Sequence, residues 1–129
     1  MNGWDPAAFE LISLLARSAR GPKREGLFAL WLTLRVAQDL QLDPPLTERS
    51  VQRRITALES RLSSLTVPAP LRRALTAALH QLRDATRESV PGILNGLVAP
   101  VREAAGQEAA EAVRKAERTS RQALLPLGR

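Results

Sequence analysis

Three arginines stand at the start of one helix that the sequence predicts near the middle of the chain. Arg49, Arg53 and Arg54 lie within its first two turns, where free backbone amides and the positive end of the helix dipole attract phosphate. Arginine, or a glutamine such as Gln52, can also form paired hydrogen bonds with guanine or adenine edges. These residues predict a surface that binds DNA. The alternatives are a solvated helix face or a contact with another protein.

A second basic group lies earlier, in the sequence RGPKREG of residues 20–26. Arg20, Lys23 and Arg24 can contact the DNA backbone if they fall on the same side of the protein as the arginine-rich helix. The net charge of +6 agrees with a polyanionic partner. The charge agrees equally with a GC-rich genome, in which arginine is used in place of lysine, because 17 of the 19 basic residues are arginine.

Residues for catalysis or metal binding are scarce. The chain has one histidine, His80, and no cysteine, so one copy cannot supply a nitrogen or sulfur cage for a metal. Asp84 follows His80 by one helical turn, but a surface or half-buried structural histidine is the simpler interpretation. The sequence shows neither a carboxylate pair suited to acid–base catalysis nor a glycine-rich loop suited to binding a nucleotide phosphate. We predict that the protein is not an enzyme and needs neither cofactor nor metal.

The elements that must position these residues are helices. Leucine and alanine dominate, β-branched residues are sparse and tyrosine is absent, which favours an all-α, compact bundle of about five helices. Residues 27–42 are apolar on most faces, so we expect this helix at the centre. A first helix begins at Asp5-Pro6 and ends at Gly21-Pro22, and residues 20–26 form a tight connector.

Two amphipathic helices follow a turn at Asp43-Pro44-Pro45. The third helix, capped by Thr47, and the fourth, starting near Pro70, both repeat apolar residues at spacings of four and three. Equal periods predict that these two helices pair as a hairpin or with a second copy of the chain. The apolar surface left over on the fourth and last helices predicts a homodimer.

The C-terminal part of the chain differs in character. Residues 89–101 place apolar side chains between prolines and glycines, which predicts a short broken helix or, alternatively, an apolar patch for a partner. A helix rich in alanine, glutamate and arginine follows. We therefore divide the chain into a helical core, residues 1–88, and an extension for oligomerisation or packing, residues 89–129. The predicted oligomer or partner contacts are Leu71, Leu75, Leu82, Ile93, Leu94 and Leu97.

Membrane insertion and export are not expected. The N-terminus lacks a basic stretch followed by an apolar core, and the longest uncharged run is too short and too broken to span a bilayer. We predict a cytoplasmic protein.

Residues 36–62 carry a resemblance to a known family. They combine a supporting helix, a proline turn and a basic helix, and the matching residues are Ala37, Leu40, Leu42, Val51, Arg53, Arg54, Ile55, Leu58 and Glu59. The segment resembles the helix-turn-helix of bacterial transcription regulators, particularly winged-helix ones. The resemblance implies that Glu48, Arg49, Gln52, Arg53 and Thr56 face a major groove, with Ser50 near phosphate. No strand pair follows Leu65, so we expect no β wing.

The leading hypothesis is thus a small DNA-binding or DNA-associated protein, a transcription regulator or nucleoid-type protein that binds double-stranded DNA as a homodimer. Its predicted DNA-binding residues are Arg49, Ser50, Gln52, Arg53, Arg54, Thr56, Arg20, Lys23 and Arg24. The alternative is a non-enzymatic helix-bundle module that binds another protein or serves as a scaffold.

Overall fold

The structure, a computed structural model, describes residues 4–42 and 47–125, and within them the chain forms seven α-helices and one 3-10 turn. The helices are α1 (Ala7–Ser18), α2 (Gly21–Asp39), α3 (Glu48–Ser64), α4 (Ala69–Arg83), α5 (Val90–Asn95), α6 (Val98–Ala105) and α7 (Gln107–Gln122), and the 3-10 turn is Arg87–Ser89. The described residues contain no strand, and the all-α prediction is confirmed. The predicted turn at Asp43-Pro44-Pro45 lies outside the described residues.

The second helix begins earlier than the sequence predicted. α2 starts at Gly21 with Arg20 as its N-cap residue, so residues 21–26 are not a connector but the first turns of the helix. Pro22 stands where a helix has no use for its missing N–H, and Gly21 has a φ of 60°, which glycine adopts without strain. The Gly-Pro pair therefore ends α1 and opens α2 at nearly the same place.

α2 is the central helix of the fold and packs against α1, α3, α4, α6 and α7. Leu27, Leu30 and Leu34 are fully buried along it. Glycine lets α4 approach closely, because a Cβ on Gly26 would lie 2.7 Å from Cδ2 of Leu71 and would force that side chain to shift. The predicted central place of residues 27–42 agrees with this packing, although one side of α2 remains open to solvent.

A buried glutamine joins three segments at one end of the molecule. The indole N–H of Trp4 donates to Oε1 of Gln41 at 2.7 Å, and Nε2 of Gln41 donates to the Arg87 carbonyl at 2.9 Å. Gln41 is fully buried, so these bonds satisfy polar atoms that water does not reach. They hold the start of α1, the end of α2 and the 3-10 turn together.

The C-terminal helices belong to the same core as the rest of the chain. The segment predicted as one broken helix and one long helix forms α5, α6 and α7, which is why the helix count exceeds five. Gly106 separates α6 from α7 with a φ of 101°, a conformation that other residues rarely adopt. α7 packs against α1, α5 and α6, and its Val113 and Ala116 are fully buried.

The residues predicted to contact a second copy are not at the surface. Leu71, Leu75, Leu82, Leu94 and Leu97 are at most 1 % exposed within a single chain, and Ile93 is half-buried. The prediction is corrected here, because α5 and α6 of the same chain cover the apolar side of α4. The leucine pattern therefore describes a core, and a homodimer through these residues is not supported.

Candidate functional site

The start of α3 presents two of the predicted DNA-binding arginines to solvent. Thr47 caps the helix, because its Oγ1 accepts a hydrogen bond from the Ser50 N–H at 3.2 Å. Ser50 belongs to this cap as well, since the Thr47 hydroxyl donates to its Oγ at 3.0 Å. Arg49 and Arg53 are exposed one turn apart, on the side of the helix away from the core.

Two of the predicted base-reading side chains are engaged with α4. The Arg83 guanidinium donates to Oε1 of Gln52 at 2.8 Å, to Oγ1 of Thr56 at 3.0 Å and to the carboxylate of Glu59. In return, Nε2 of Gln52 donates to the Arg83 carbonyl at 2.6 Å. These polar groups fasten α3 to α4 and engage both polar atoms of the Gln52 side chain, whereas Thr56 is exposed and accepts a bond from Arg83.

The third arginine of the group, Arg54, is paired with an acid. Its Nη1 lies 2.6 Å from Oδ2 of Asp39, whose side chain is only 6 % exposed. Burial raises the pKa of Asp39 above its ordinary value of 3.8, and the nearby charges of Arg54 and Arg35 act in the opposite direction. Arg54 itself keeps half of its side chain in solvent.

α2 and α3 form an antiparallel pair. Three contacts step along the two helices in opposite directions: Asp39 with Arg54, the Phe28 ring with the Arg61 guanidinium, and the Glu25 carboxylate with the Thr66 N–H. The helices therefore touch along most of their length. The resemblance of residues 36–62 to a helix-turn-helix stays a prediction.

The same register separates the two basic groups. Arg20, Lys23 and Arg24 lie at the beginning of α2, beside the end of α3, whereas Arg49 and Arg53 lie at the beginning of α3. A helix rises about 1.5 Å per residue, so the length of α3 alone places about 20 Å between them. The two basic groups are therefore not adjacent, and whether they contact one DNA duplex together stays a prediction.

A cleft of about 300 Å³ opens between α2 and α3. We call it the α2–α3 cleft, and it is lined by Leu32, Arg35, Val36, Asp39, Arg54, Ala57, Leu58 and Arg61. Apolar side chains form its floor, while three guanidinium groups and one carboxylate surround them. Arg35, Arg54, Ala57 and Arg61 are exposed. The cleft is thus an apolar hollow with a mostly basic rim.

Aromatic rings support the rim of the cleft. The Arg35 guanidinium lies 5.3 Å from the centroid of the Trp31 ring, and the Arg61 guanidinium lies 5.0 Å from that of Phe28. Phe28 is 38 % exposed, and Leu14 on neighbouring α1 is 59 % exposed. Cation–π contacts restrict the two arginines and leave the edges of their guanidinium groups available to a ligand. The exposed apolar surface therefore continues from the cleft across α2.

The sequence analysis did not predict this cleft, although part of its signal is local. Phe28, Leu32 and Arg35 recur at spacings of four and three, which places them on one face of a helix. Arg54 and Arg61 share a face of α3 in the same way. Which two faces meet depends on the antiparallel register of α2 and α3, and no local pattern determines that register.

The described residues add no support for a catalytic histidine, a metal site or a membrane-spanning helix. His80 and Asp84 are both exposed near the end of α4. Among residues 4–42 and 47–125, no three histidine, cysteine, aspartate or glutamate side chains gather as metal ligands. None of the described helices combines the length and the apolar character needed to cross a membrane.

Known proteins give no indication of the function of this chain, so a functional class must be argued from the fold and the cleft. No family model, no curated protein and no solved structure matches this chain. The protein is defined as an all-α helix bundle with an arginine-rimmed cleft between two antiparallel helices.

Proposed function

We propose that this protein is a non-enzymatic, cytoplasmic helix-bundle module that binds another protein through the α2–α3 cleft. The observation that supports the proposal best is the apolar floor of the cleft, close to the exposed ring of Phe28 and surrounded by Arg35, Arg54 and Arg61. Apolar surface with aromatic and arginine side chains is the composition of binding hot spots in protein interfaces. A homodimer through α4 is not part of the proposal, because that surface lies in the core.

Site-specific photo-crosslinking tests the proposal. A photoreactive residue replaces Ala57 in the cleft, and in a matched variant it replaces Ala77, which is also exposed but lies on α4. We expect a discrete protein adduct from the Ala57 position, in the native host, and none from Ala77. Leu32→Glu should remove the adduct while far-UV circular dichroism stays helical. Equal labelling from both positions, or none from Ala57, would contradict the proposal.

DNA binding along α3 is a second candidate, favoured by one observation. The exposed side chains of α3 include four arginines and only one acid, Glu48. With a net charge of +6, such a face attracts a phosphate backbone without needing base readout. Arg49 and Arg53 are the cations to examine, because Arg54 is already paired with Asp39.

A gel-shift titration with duplex DNA at two salt concentrations tests the second candidate. Binding should weaken steeply with salt and be lost in Arg49→Glu plus Arg53→Glu. The matched control, Arg73→Glu plus Arg118→Glu, changes the net charge equally through exposed residues of α4 and α7. If the two double variants lose DNA to the same extent, only the overall charge matters, and α3 is not a DNA-binding surface.

A further inference from the structure

The shape of the α2–α3 cleft indicates what kind of ligand fits it. The floor is made by residues at helical spacing, Leu32 and Val36 on α2 and Ala57 and Leu58 on α3. The lining comes from about two turns of each antiparallel helix, residues 32–39 and 54–61, so the cleft lies along the line where the two helices meet. A third helix can lay its own apolar ridge into such a groove, with anchors three, four and seven residues apart.

The charges of the rim indicate the polarity of that helix. Arg35, Arg54 and Arg61 surround the floor, and Asp39 is the single acid in the lining. Guanidinium groups form two parallel hydrogen bonds with a carboxylate. Arg35 and Arg61 are held over aromatic rings, so little of their side-chain entropy is lost when a ligand binds them. A helix flanked by glutamate or aspartate therefore complements the cleft.

Asp39 already provides one internal carboxylate to the rim. It pairs with Arg54 at 2.6 Å and is almost completely buried. An incoming acidic ligand must share Arg54 with Asp39 and also approaches the negative charge of Asp39 itself. The Asp39–Arg54 pair thus weakens the attraction of the cleft for acidic ligands. Removing the Asp39 carboxylate should increase that attraction.

We propose that the α2–α3 cleft binds an amphipathic helix of a partner protein that carries acidic side chains on both sides of an apolar stripe. This inference rests on the proposed function and specifies its partner. A phosphate backbone offers no apolar ridge for the floor of the cleft, so nucleic acid is the less complementary occupant.

Designed peptides test the inference with the full-length protein. The probe is a fluorescent peptide of about 18 residues, or five helical turns, with leucines four and three apart and glutamates beside them. A second peptide carries lysine in place of glutamate, and a third carries serine in place of leucine. Fluorescence polarisation should show binding of the glutamate peptide about tenfold tighter than that of the other two, weakening as salt is raised.

Variants of the rim connect the binding to the cleft. Arg35→Glu plus Arg61→Glu should reverse the preference toward the lysine peptide, whereas Arg73→Glu plus Arg118→Glu, with the same change in net charge, should not. Asp39→Asn should tighten binding of the glutamate peptide about threefold or more, since Arg54 then has no internal counter-charge. Circular dichroism confirms that each variant remains helical. Weaker or unchanged binding in Asp39→Asn would contradict the role given to Asp39.

The outcomes separate this inference from the proposed function. If the glutamate peptide does not bind, or binds no better than the lysine peptide, the inference is overturned; a cross-linked partner at Ala57 would still support protein binding. If duplex DNA displaces the bound glutamate peptide from the wild-type protein and the rim variants lose the duplex, the cleft is a nucleic-acid surface and the inference fails. If Ala57 captures no partner and no peptide binds, both proposals fail together.

Discussion

Asp39 is the residue on which the electrostatics of the cleft depends. Its carboxylate is buried near the end of α2, where removal from water costs more than the adjacent Arg54 and Arg35 return, and its pKa is raised for that reason. Arg54 remains half-exposed and keeps contact with solvent. The pair therefore orients Arg54 in the rim at some cost to stability.

The first prediction concerns the pH dependence of stability at Asp39. A carboxyl group whose pKa is higher in the folded than in the unfolded protein stabilises the fold fully below the unfolded value, near 3.8, and loses this contribution as the pH rises through the raised value. Asp39→Asn removes the titration. Its free energy of unfolding, relative to wild type, should therefore rise between about pH 3 and pH 7. Denaturant unfolding at both pH values measures the difference, and a fall would contradict it.

The second prediction concerns the arginine that fastens α3 to α4. Arg83→Met removes hydrogen bonds to Gln52, Thr56 and Glu59 and should lower the free energy of unfolding by about 1–2 kcal/mol, since the bonds are charge-assisted but partly exposed. The matched change Arg73→Met, at an exposed position of the same helix, should stay within about 0.5 kcal/mol of wild type. Urea denaturation compares the two, and equal effects would show that Arg83 contributes only its charge.

At the level of helices, local sequence signals predicted the helix ends and buried faces better than they predicted the candidate site. Thr47 caps α3, and α4 begins next to Pro70, because capping and proline preferences act within one turn. The apolar periods of both helices correctly indicated their buried sides. The predicted start of α2 was wrong, because Gly21-Pro22 ends one helix and also begins the next. The cleft was missed because it depends on register between helices rather than on any one of them.

The third prediction tests how closely α2 and α4 pack. Gly26→Ala gains up to about 1 kcal/mol of helix propensity, but its Cβ meets the buried Leu71 side chain, and relief of such overpacking costs about 1–3 kcal/mol. We expect a net loss of stability of about 1 kcal/mol. Gly92→Ala in α5 is the matched control: its Cβ meets nothing within 4 Å, so it should stabilise by about 0.5 kcal/mol or more. Thermal unfolding in which Gly26→Ala is at least as stable as wild type would contradict close packing at Gly26.

At the level of the whole molecule, all seven helices share one core. Buried side chains from α1 through α7 form one cluster among the described residues, and it includes Trp4, Leu34, Leu94 and Val113. The C-terminal helices pack on the N-terminal ones, since α1 rests on both α2 and α7, and the division at residue 88 stays a prediction. The extension predicted from composition is therefore part of what supports the helices around the cleft.

The final prediction follows from that shared core. A fragment of residues 1–88 would lose α7 from one side of α1 and would expose Leu75, Leu79 and Leu82, which are at most 1 % exposed in the full chain. Each leucine moved from core to solvent costs about 1.5–3 kcal/mol, and three of them approach the entire stability of a small domain. We expect the fragment to lack a cooperative thermal transition by circular dichroism, and adding residues 89–129 as a separate chain to restore part of it. A fragment that melts cooperatively near the temperature of the full chain would show that α1–α4 fold without the C-terminal helices, and that the α2–α3 cleft does not depend on them.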